Sequence, residues 1–220
     1  MFSGKMKTMR RGFTLVELLV TISIIAVLAV LGLAALFRSQ RSAEQADSTA
    51  HLRTMAQAVI SYAGEHDGTL PGPLWPGQVM LYDPTREGRL VREVGEYLSF
   101  EKRPSVYLVE SLVPKAYRRA MKGTNLADAR IYVMNTAVEL NGTTANPFGN
   151  LPTDPAQPSL KLVTVASLPE EERWMMKEAD QQVPEIAGAS WRANTPAAPV
   201  HGPMRAAARF DGSVNWEKAE

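Results

Sequence analysis

The chain has 220 residues, which is enough for a helical stem and roughly one ordinary domain but too few for a large multidomain enzyme. It contains no cysteine, so disulfide bonds and cysteine nucleophiles are excluded and packing alone must hold the fold. The formal charge of +1 includes four basic residues before residue 12; without them 20 basic side chains face 23 acidic ones, a balance that does not indicate a nucleic-acid-binding surface.

A basic segment followed by a long apolar run opens the sequence. The run from Phe13 to Phe37 carries a single charge, at Glu17, and exceeds the roughly 20 residues needed to cross a bilayer. Only basic charges precede it, so the positive-inside rule predicts a cytoplasmic N-terminus and an exported remainder. A secretory signal is shorter and is cleaved after its apolar region, whereas here the small residue Gly12 lies before the run. The pattern predicts a retained single-span helix.

Glu17 is the anomaly within this run. A carboxylate in an isolated membrane helix costs on the order of 2.5 to 3.5 kcal/mol on insertion scales. The residue therefore needs a partner.

Residues Gly12 to Leu18 read Gly-Phe-Thr-Leu-Val-Glu-Leu, which resembles the processing and methylation motif of type IV prepilins and type II secretion pseudopilins. The resemblance implies that a prepilin peptidase cuts on the cytoplasmic side between Gly12 and Phe13 and then N-methylates Phe13. It also implies that Glu17 pairs with the N-terminal amine of a neighbouring subunit in a filament. An inner-membrane assembly platform and a separate ATPase would drive that assembly.

After Phe37 the sequence becomes polar and then shows a helical stripe of apolar positions from Leu52 to Ala63. The membrane helix is therefore expected to continue as an amphipathic half, which Gly64 and the Asp67-Gly68 pair end. The predicted organisation is a cytoplasmic basic leader (1–12), a transmembrane helix (13–37), an amphipathic extension of the helix (38–64) and a periplasmic head (65–220). The fold class is α+β and pilin-like, with an antiparallel sheet in the head.

Within the head, composition predicts four elements before the C-terminal end. They are a helix in two pieces over 106–121, a strand over 129–140, a second strand over 160–165 and a third over 174–178. Asn141-Gly142 is expected to form a turn, and the segment from there to Pro158 a long surface loop.

The C-terminal end holds a second motif, in which His201 precedes Asp211-Gly212 with nine residues between them. It resembles the ending of a prepilin-like subgroup. The Asp-Gly pair predicts a C-terminal β-hairpin with a type I′ turn. A lone histidine with scattered carboxylates lacks the compact spacing of a metal site, so structural roles are favoured for His201 and Asp211.

These features favour a structural pilin or pseudopilin subunit over an enzyme, with no cofactor. Calcium stays open for the acidic residues 170–172, as some related pseudopilins bind it. Expected partners are prepilin peptidase, other pilin subunits, the assembly platform, its ATPase and the lipid bilayer, and no nucleic acid. The expected location is the bacterial inner membrane and then a pilus or pseudopilus. Two alternatives remain open: a minor pilin with a ligand-binding or adhesive head, and a membrane-tethered periplasmic enzyme.

Overall fold

The protein is described here by a computed structural model that covers residues 14–151 and 157–219. The chain divides between Ser42 and Ala43 into two compact units. Helix α1, Leu15–Glu65, supplies the described part of the first unit and opens the second. The head follows α1 and contains an antiparallel sheet, so the predicted α+β class is confirmed.

The first unit consists of the apolar part of α1. Among the described residues, α1 is the one helix that is long and apolar enough to cross a membrane. Every large apolar side chain from Leu15 to Phe37 is exposed, and the least exposed, Val20, still has 49% of its surface free. An apolar surface of this size has no aqueous partner, which is the pattern of a membrane span.

The second unit begins with the amphipathic end of α1. The predicted stripe is buried there, since Leu52, Met55, Val59 and Ala63 each expose 1% or less. The helix ends where predicted, because Asp67 and Gly68 take positive φ angles and the N–H of Gly68 closes onto Ala63 O at 2.8 Å.

Nine strands lie in the described residues. Five of them form one antiparallel sheet in the order β1-β4-β7-β8-β9, so β1 and β9 are its edges. Two small sheets, β2-β3 and β5-β6, complete the set. The strands are β1 Gly77–Gln78, β2 Leu81–Tyr82, β3 Tyr107–Leu108, β4 Tyr132–Met134, β5 Val138–Leu140, β6 Thr143–Ala145, β7 Trp174–Glu178, β8 Met204–Arg209 and β9 Val214–Lys218.

The helices of the head are short. They are α2 Leu90–Glu93, α3 Lys115–Ala120 and α4 Leu162–Ala166, together with the 3₁₀ turns Gly95–Tyr97, Glu110–Leu112, Pro184–Ile186 and Arg192–Asn194. The main core joins the buried stripe of α1 to the sheet, and it includes the alanines Ala206 and Ala208 of β8. Small side chains on β8 permit a close approach of strand and helix.

The strand predicted at 160–165 is wrong, because α4 occupies residues 162–166. Alternation of Leu, Val and Thr suggested two apolar faces, but of the five helical residues Val165 alone is buried. One anchoring side chain per turn is enough for a short surface helix and gives no recognisable period.

The helix predicted over 106–121 is correct only in its second half. Tyr107–Leu108 pairs with β2 as a strand, and α3 begins at Lys115 directly after Pro114. Similarly, the strand predicted over 129–140 is two strands, β4 and β5. Asn135 separates them because its side-chain amide donates to Glu172 O and Trp174 O, at 3.1 and 2.9 Å.

The predictions made from turn residues were more accurate than those made from apolar patterns. Asn141 and Gly142 both take positive φ angles and close the hairpin β5-β6, as predicted. The segment that follows is not entirely a loop, since β6 occupies Thr143–Ala145. Strand β7 has the predicted bounds, Trp174–Glu178.

Candidate functional site

The described chain begins at the start of α1, where Thr14 and Glu17 cap the helix reciprocally. The backbone N–H and the hydroxyl of Thr14 each donate to Glu17 Oε2 at 2.9 Å, and the Glu17 N–H donates to Thr14 Oγ1 at 3.2 Å. This is a capping box, which satisfies two orphan N–H groups of the first turn. Glu17 thus has a partner inside its own chain. The predicted cleavage site between Gly12 and Phe13 lies outside the described residues.

Small residues interrupt the apolar surface of α1. A Cβ added at Gly32 would meet nothing within 4 Å. At Gly32, Ala34 and Ala35 the side chains are small or absent, so the helix is narrower there than at the neighbouring large apolar residues. Membrane helices approach one another most closely at such positions.

His201 lies in a buried polar cluster that joins the end of the chain to α1. Its Nε2 is 2.9 Å from Ser48 Oγ on α1 and 3.3 Å from Glu178 Oε1 on β7. Its ring meets Trp216 of β9 edge-on, at 5.0 Å between centroids. The side chains of His201 and Glu178 are only 2% and 3% exposed, and Glu178 Oε1 has no hydrogen bond, so the electrostatic contact with His201 is its compensation for burial.

The Asp211-Gly212 pair ends β8 and starts the return to β9, which gives the predicted C-terminal hairpin. The predicted type I′ turn is wrong, because Gly212 has φ +83° whereas Asp211 does not take a positive φ. The Gly212 N–H donates to Arg209 O at 2.9 Å, so the loop is a type I turn followed by a glycine bulge. Asp211 accepts a hydrogen bond from the Ser213 N–H at 2.8 Å. Hydrogen bonds from Ser213 lower the pKa of the Asp211 carboxyl below its usual value.

The two ends of this motif contact α1 at different points. A Cβ added at Gly212 would lie 3.2 Å from Ile60 Cδ1, so the turn rests on α1 at Ile60 while His201 contacts α1 at Ser48. Ser48 and Ile60 are twelve residues apart, which is about 18 Å along the helix. His201 and Gly212 flank β8 and therefore connect both sides of that strand to the second half of α1.

One ion pair and one further hydrogen bond reinforce β8. The guanidinium of Arg205 donates to both carboxylate oxygens of Asp180, at 2.8 and 3.0 Å, and both side chains are almost fully buried. The carboxylate of Glu178 accepts the Ala206 N–H at 3.0 Å. The last residue of β7 and the segment directly after it are thus bonded to β8 through side chains.

The His201 cluster does not have the geometry of a catalytic relay. In a serine relay the hydroxyl and the carboxylate lie on opposite ring nitrogens of the histidine. Here Ser48 and Glu178 both approach Nε2. Because Ser48 and Glu178 share one ring nitrogen, Glu178 does not orient His201 as a general base for the Ser48 hydroxyl in the way that such a relay requires.

Two of the three acidic residues 170–172 are engaged in other contacts. Glu170 pairs with Arg209 at 2.9 Å, and the carboxylate of Glu172 accepts the Glu139 N–H at 2.7 Å. Across residues 14–151 and 157–219, no group of three or more His, Asp or Glu side chains could hold a metal ion.

Sequence reasoning identified His201, Asp211 and Gly212 but missed Ser48, Glu178 and the role of Arg205. Ser48 gave a usable signal, because it lies four residues before Leu52 in the buried stripe of α1. A polar residue at a core position of a stripe needs a hydrogen-bond partner. The identity of that partner, 153 residues away, has no signature along the chain.

His201→Ala is expected to destabilise the second unit by about 2 kcal/mol, because it leaves Ser48 and Glu178 buried without their shared partner. Urea denaturation of the full chain in detergent, followed by tryptophan fluorescence, measures the change. His66→Ala is the matched control, since His66 is exposed and its side chain bonds to and stacks on Tyr62, one turn earlier in the same helix. An equal loss in both variants would show that the buried cluster contributes nothing.

The comparisons with known proteins agree with the N-terminal geometry. A family model, the prokaryotic N-terminal methylation motif, matches residues 7–33. No curated protein and no solved structure matches the chain. The matched segment contains the predicted cleavage site, the capping box and most of the exposed apolar helix. The chain therefore carries a prepilin-type cleavage and methylation signal.

Proposed function

We propose that this chain is a structural subunit, a pilin or pseudopilin, of a bacterial type IV pilus or type II secretion-type filament. The observation that carries the proposal is the methylation motif at residues 7–33, which coincides with the start of an exposed apolar helix. The motif points to a family of structural proteins that are generally not enzymes. The absence of a serine relay at His201 gives no support to the tethered-enzyme alternative.

Processing is the first step of the proposed mechanism. Prepilin peptidase cuts between Gly12 and Phe13 on the cytoplasmic face and N-methylates Phe13. The basic leader keeps the N-terminus inside before the cut, and the head lies in the periplasm. The mature chain then starts one residue before the capping box of Thr14 and Glu17.

Assembly is the second step. The exposed apolar side chains of α1 contact lipid in the free subunit and neighbouring helices in the filament. Gly32, Ala34 and Ala35 allow the close approach of those helices. Glu17 exchanges its intrachain bonds to Thr14 for the N-terminal amine of a neighbour, which makes the buried carboxylate a signal for assembly. The assembly platform and its ATPase supply the energy for moving subunits from the membrane into the filament.

Gly12→Val is expected to abolish processing almost completely, because a branched side chain occupies the residue on the leader side of the scissile bond. Intact mass and N-terminal sequencing of the membrane-extracted protein from its native host give the measurement. Wild type should begin at N-methylated Phe13 and the variant at Met1. Gly4→Val, in the same leader, is the control and should be processed normally. An intact Met1 in wild type would overturn the proposal and leave the helix as a plain anchor.

A further inference from the structure

A cavity in the second unit combines three arginines with two tryptophans. It has a volume of about 110 Å³ and its lining comes from four separate segments of the chain. A cavity of this size accommodates one small chemical group rather than a whole ligand. The lining residues are Trp75, Pro76, Gly77, Arg86, Arg89, Arg130 and Trp191.

The arginines of this cavity form no direct ion pair with a carboxylate in the part of the chain that the structure describes. Arg89 is only 5% exposed, and its Nε, like that of Arg130, is buried without a hydrogen-bond partner. Arg130 is half-buried and donates to Asp128 O at 3.1 Å, while Arg86 is exposed. Buried guanidinium groups normally have an anionic partner in direct contact, so Arg89 in particular lacks the group that would compensate it.

The nearest carboxylates are committed to other groups. Asp83 accepts hydrogen bonds from the N–H and the hydroxyl of Thr85, at 3.0 and 2.7 Å. Asp128 accepts the side-chain amide of Asn125 at 2.8 Å. Burial, followed by repulsion from Arg130 and Arg86, lowers the pKa of Arg89 to about 10. Arg89 still carries its charge at neutral pH, and a bound anion would relieve both causes.

The tryptophans form flat apolar walls beside this charge. A Cβ added at Gly77 would lie 2.7 Å from Trp191, so the bare backbone there lets the indole close the cavity. A Cβ added at Gly88 would lie 2.6 Å from Trp75 on the other side. The Arg130 guanidinium lies 5.9 Å from the Trp191 ring centroid, within the range of a cation–π contact.

We propose that this cavity binds the oxyanion, a sulfate or a carboxylate, of an acidic saccharide. Guanidinium groups recognise oxyanions through paired N–H donors, and three of them converge on a space large enough for one such group. The apolar face of the sugar ring packs on the indole walls where the bound saccharide extends out of the cavity. A nucleic acid fits less well, because the mature chain has 20 basic and 23 acidic side chains. The site would give a filament subunit a ligand-binding head.

Tryptophan fluorescence of the full chain in detergent tests the site, since Trp75 and Trp191 line it. Glucose 6-sulfate and glucuronate are titrated at constant ionic strength, with glucose as the neutral analogue and a thymidine oligonucleotide as the competing polyanion. Both acidic sugars should give saturable changes, and their relative affinities identify sulfate or carboxylate as the preferred group. Glucose should bind at least about tenfold more weakly, because it lacks the charge-assisted bonds.

Three variants test whether the fluorescence change arises from binding in this cavity. Arg86→Gln and Arg89→Met should each weaken binding by about tenfold or more, and Trp191→Phe should remove most of the fluorescence change. Arg86 is exposed, so its variant keeps the fold even if Arg89→Met does not. Arg103→Gln, which changes an exposed arginine away from the cavity, should bind like wild type. The melting temperature supplies a second readout: the acidic sugars should raise it in wild type but not in Arg89→Met.

Other results would overturn the proposal. Equal effects of the acidic sugars on wild type and Arg86→Gln would place binding elsewhere. Tighter binding of the oligonucleotide would identify a nucleic-acid site. Asp154→Asn tests whether a carboxylate of the chain itself occupies the cavity. In the sequence Asp154 comes shortly after Leu151, whose side chain lies beside Gly88 and near the cavity residue Trp75. Acidic-sugar binding that appears only in this variant would mean that the protein fills its own cavity.

Discussion

Glu17→Ala is expected to leave membrane insertion intact and to reduce incorporation into filaments by at least about tenfold. Alanine removes a charged group from the apolar segment, so insertion does not suffer. Incorporation suffers because, on the proposed mechanism, the N-terminal amine of a neighbour loses the carboxylate that compensates it. The measurement compares the amount of variant in sheared filaments with the amount in the membrane fraction, by immunoblotting in the native host.

The capping box makes a matched control possible. Thr14→Ala removes the hydroxyl bonds to Glu17 but keeps the carboxylate, so a pairing role predicts incorporation close to wild type. If Glu17 serves only to cap the helix, both variants weaken the same first turn, by about 1 kcal/mol for a lost cap. Equal incorporation of Thr14→Ala and Glu17→Ala would therefore contradict the pairing mechanism.

Arg205→Ala is expected to cost about 3 to 5 kcal/mol of unfolding free energy, because it leaves the buried Asp180 carboxylate without its bidentate partner. Whole domains are stable by only about 5 to 15 kcal/mol, so this loss would be a large fraction of the stability of the second unit. Urea denaturation of the full chain in detergent measures the loss. Arg209→Ala is the control, since its partner Glu170 is largely exposed and such a pair contributes about 1 kcal/mol or less.

The double variant Asp180→Asn/Arg205→Met distinguishes the effect of an uncompensated buried charge from the effect of the lost hydrogen bonds. It removes both charges while keeping side chains of similar size. Because a buried ion pair can often be replaced by neutral groups at little cost, the double variant should recover most of the stability that Arg205→Ala loses. A double variant as unstable as Arg205→Ala would mean that the two hydrogen bonds, rather than an uncompensated charge, determine the effect.

Local sequence rules predicted the long helix and the Asn141-Gly142 turn correctly and the short elements of the head less well. The apolar run, the stripe from Leu52 to Ala63 and the Asn141-Gly142 turn each follow from periodicity or from one dihedral preference. The segment 160–165 was misassigned because it is short and has a single buried side chain, Val165, so no period identifies it.

The buried polar contacts could not be predicted, because their partners are distant along the chain. Ser48 meets His201 across 153 residues, and Asp180 meets Arg205 between β7 and β8, whose register depends on the whole sheet. The arginine cavity is assembled from four segments that show no common motif. Such contacts are determined by the tertiary fold, and the sequence pattern gives only the residue types.

The edge strands of the five-stranded sheet determine whether neighbouring heads can join through strand pairing. A free edge strand offers unpaired N–H and C=O groups to any neighbouring copy, and subunits held side by side meet at very high local concentration. Edge strand β1 has two residues, too few to template a partner, and edge strand β9 carries Asn215, Glu217 and Lys218. In the proposed filament, these features would discourage strand-to-strand fusion of heads, so that subunits could pack densely through their helices while their sheets stay separate.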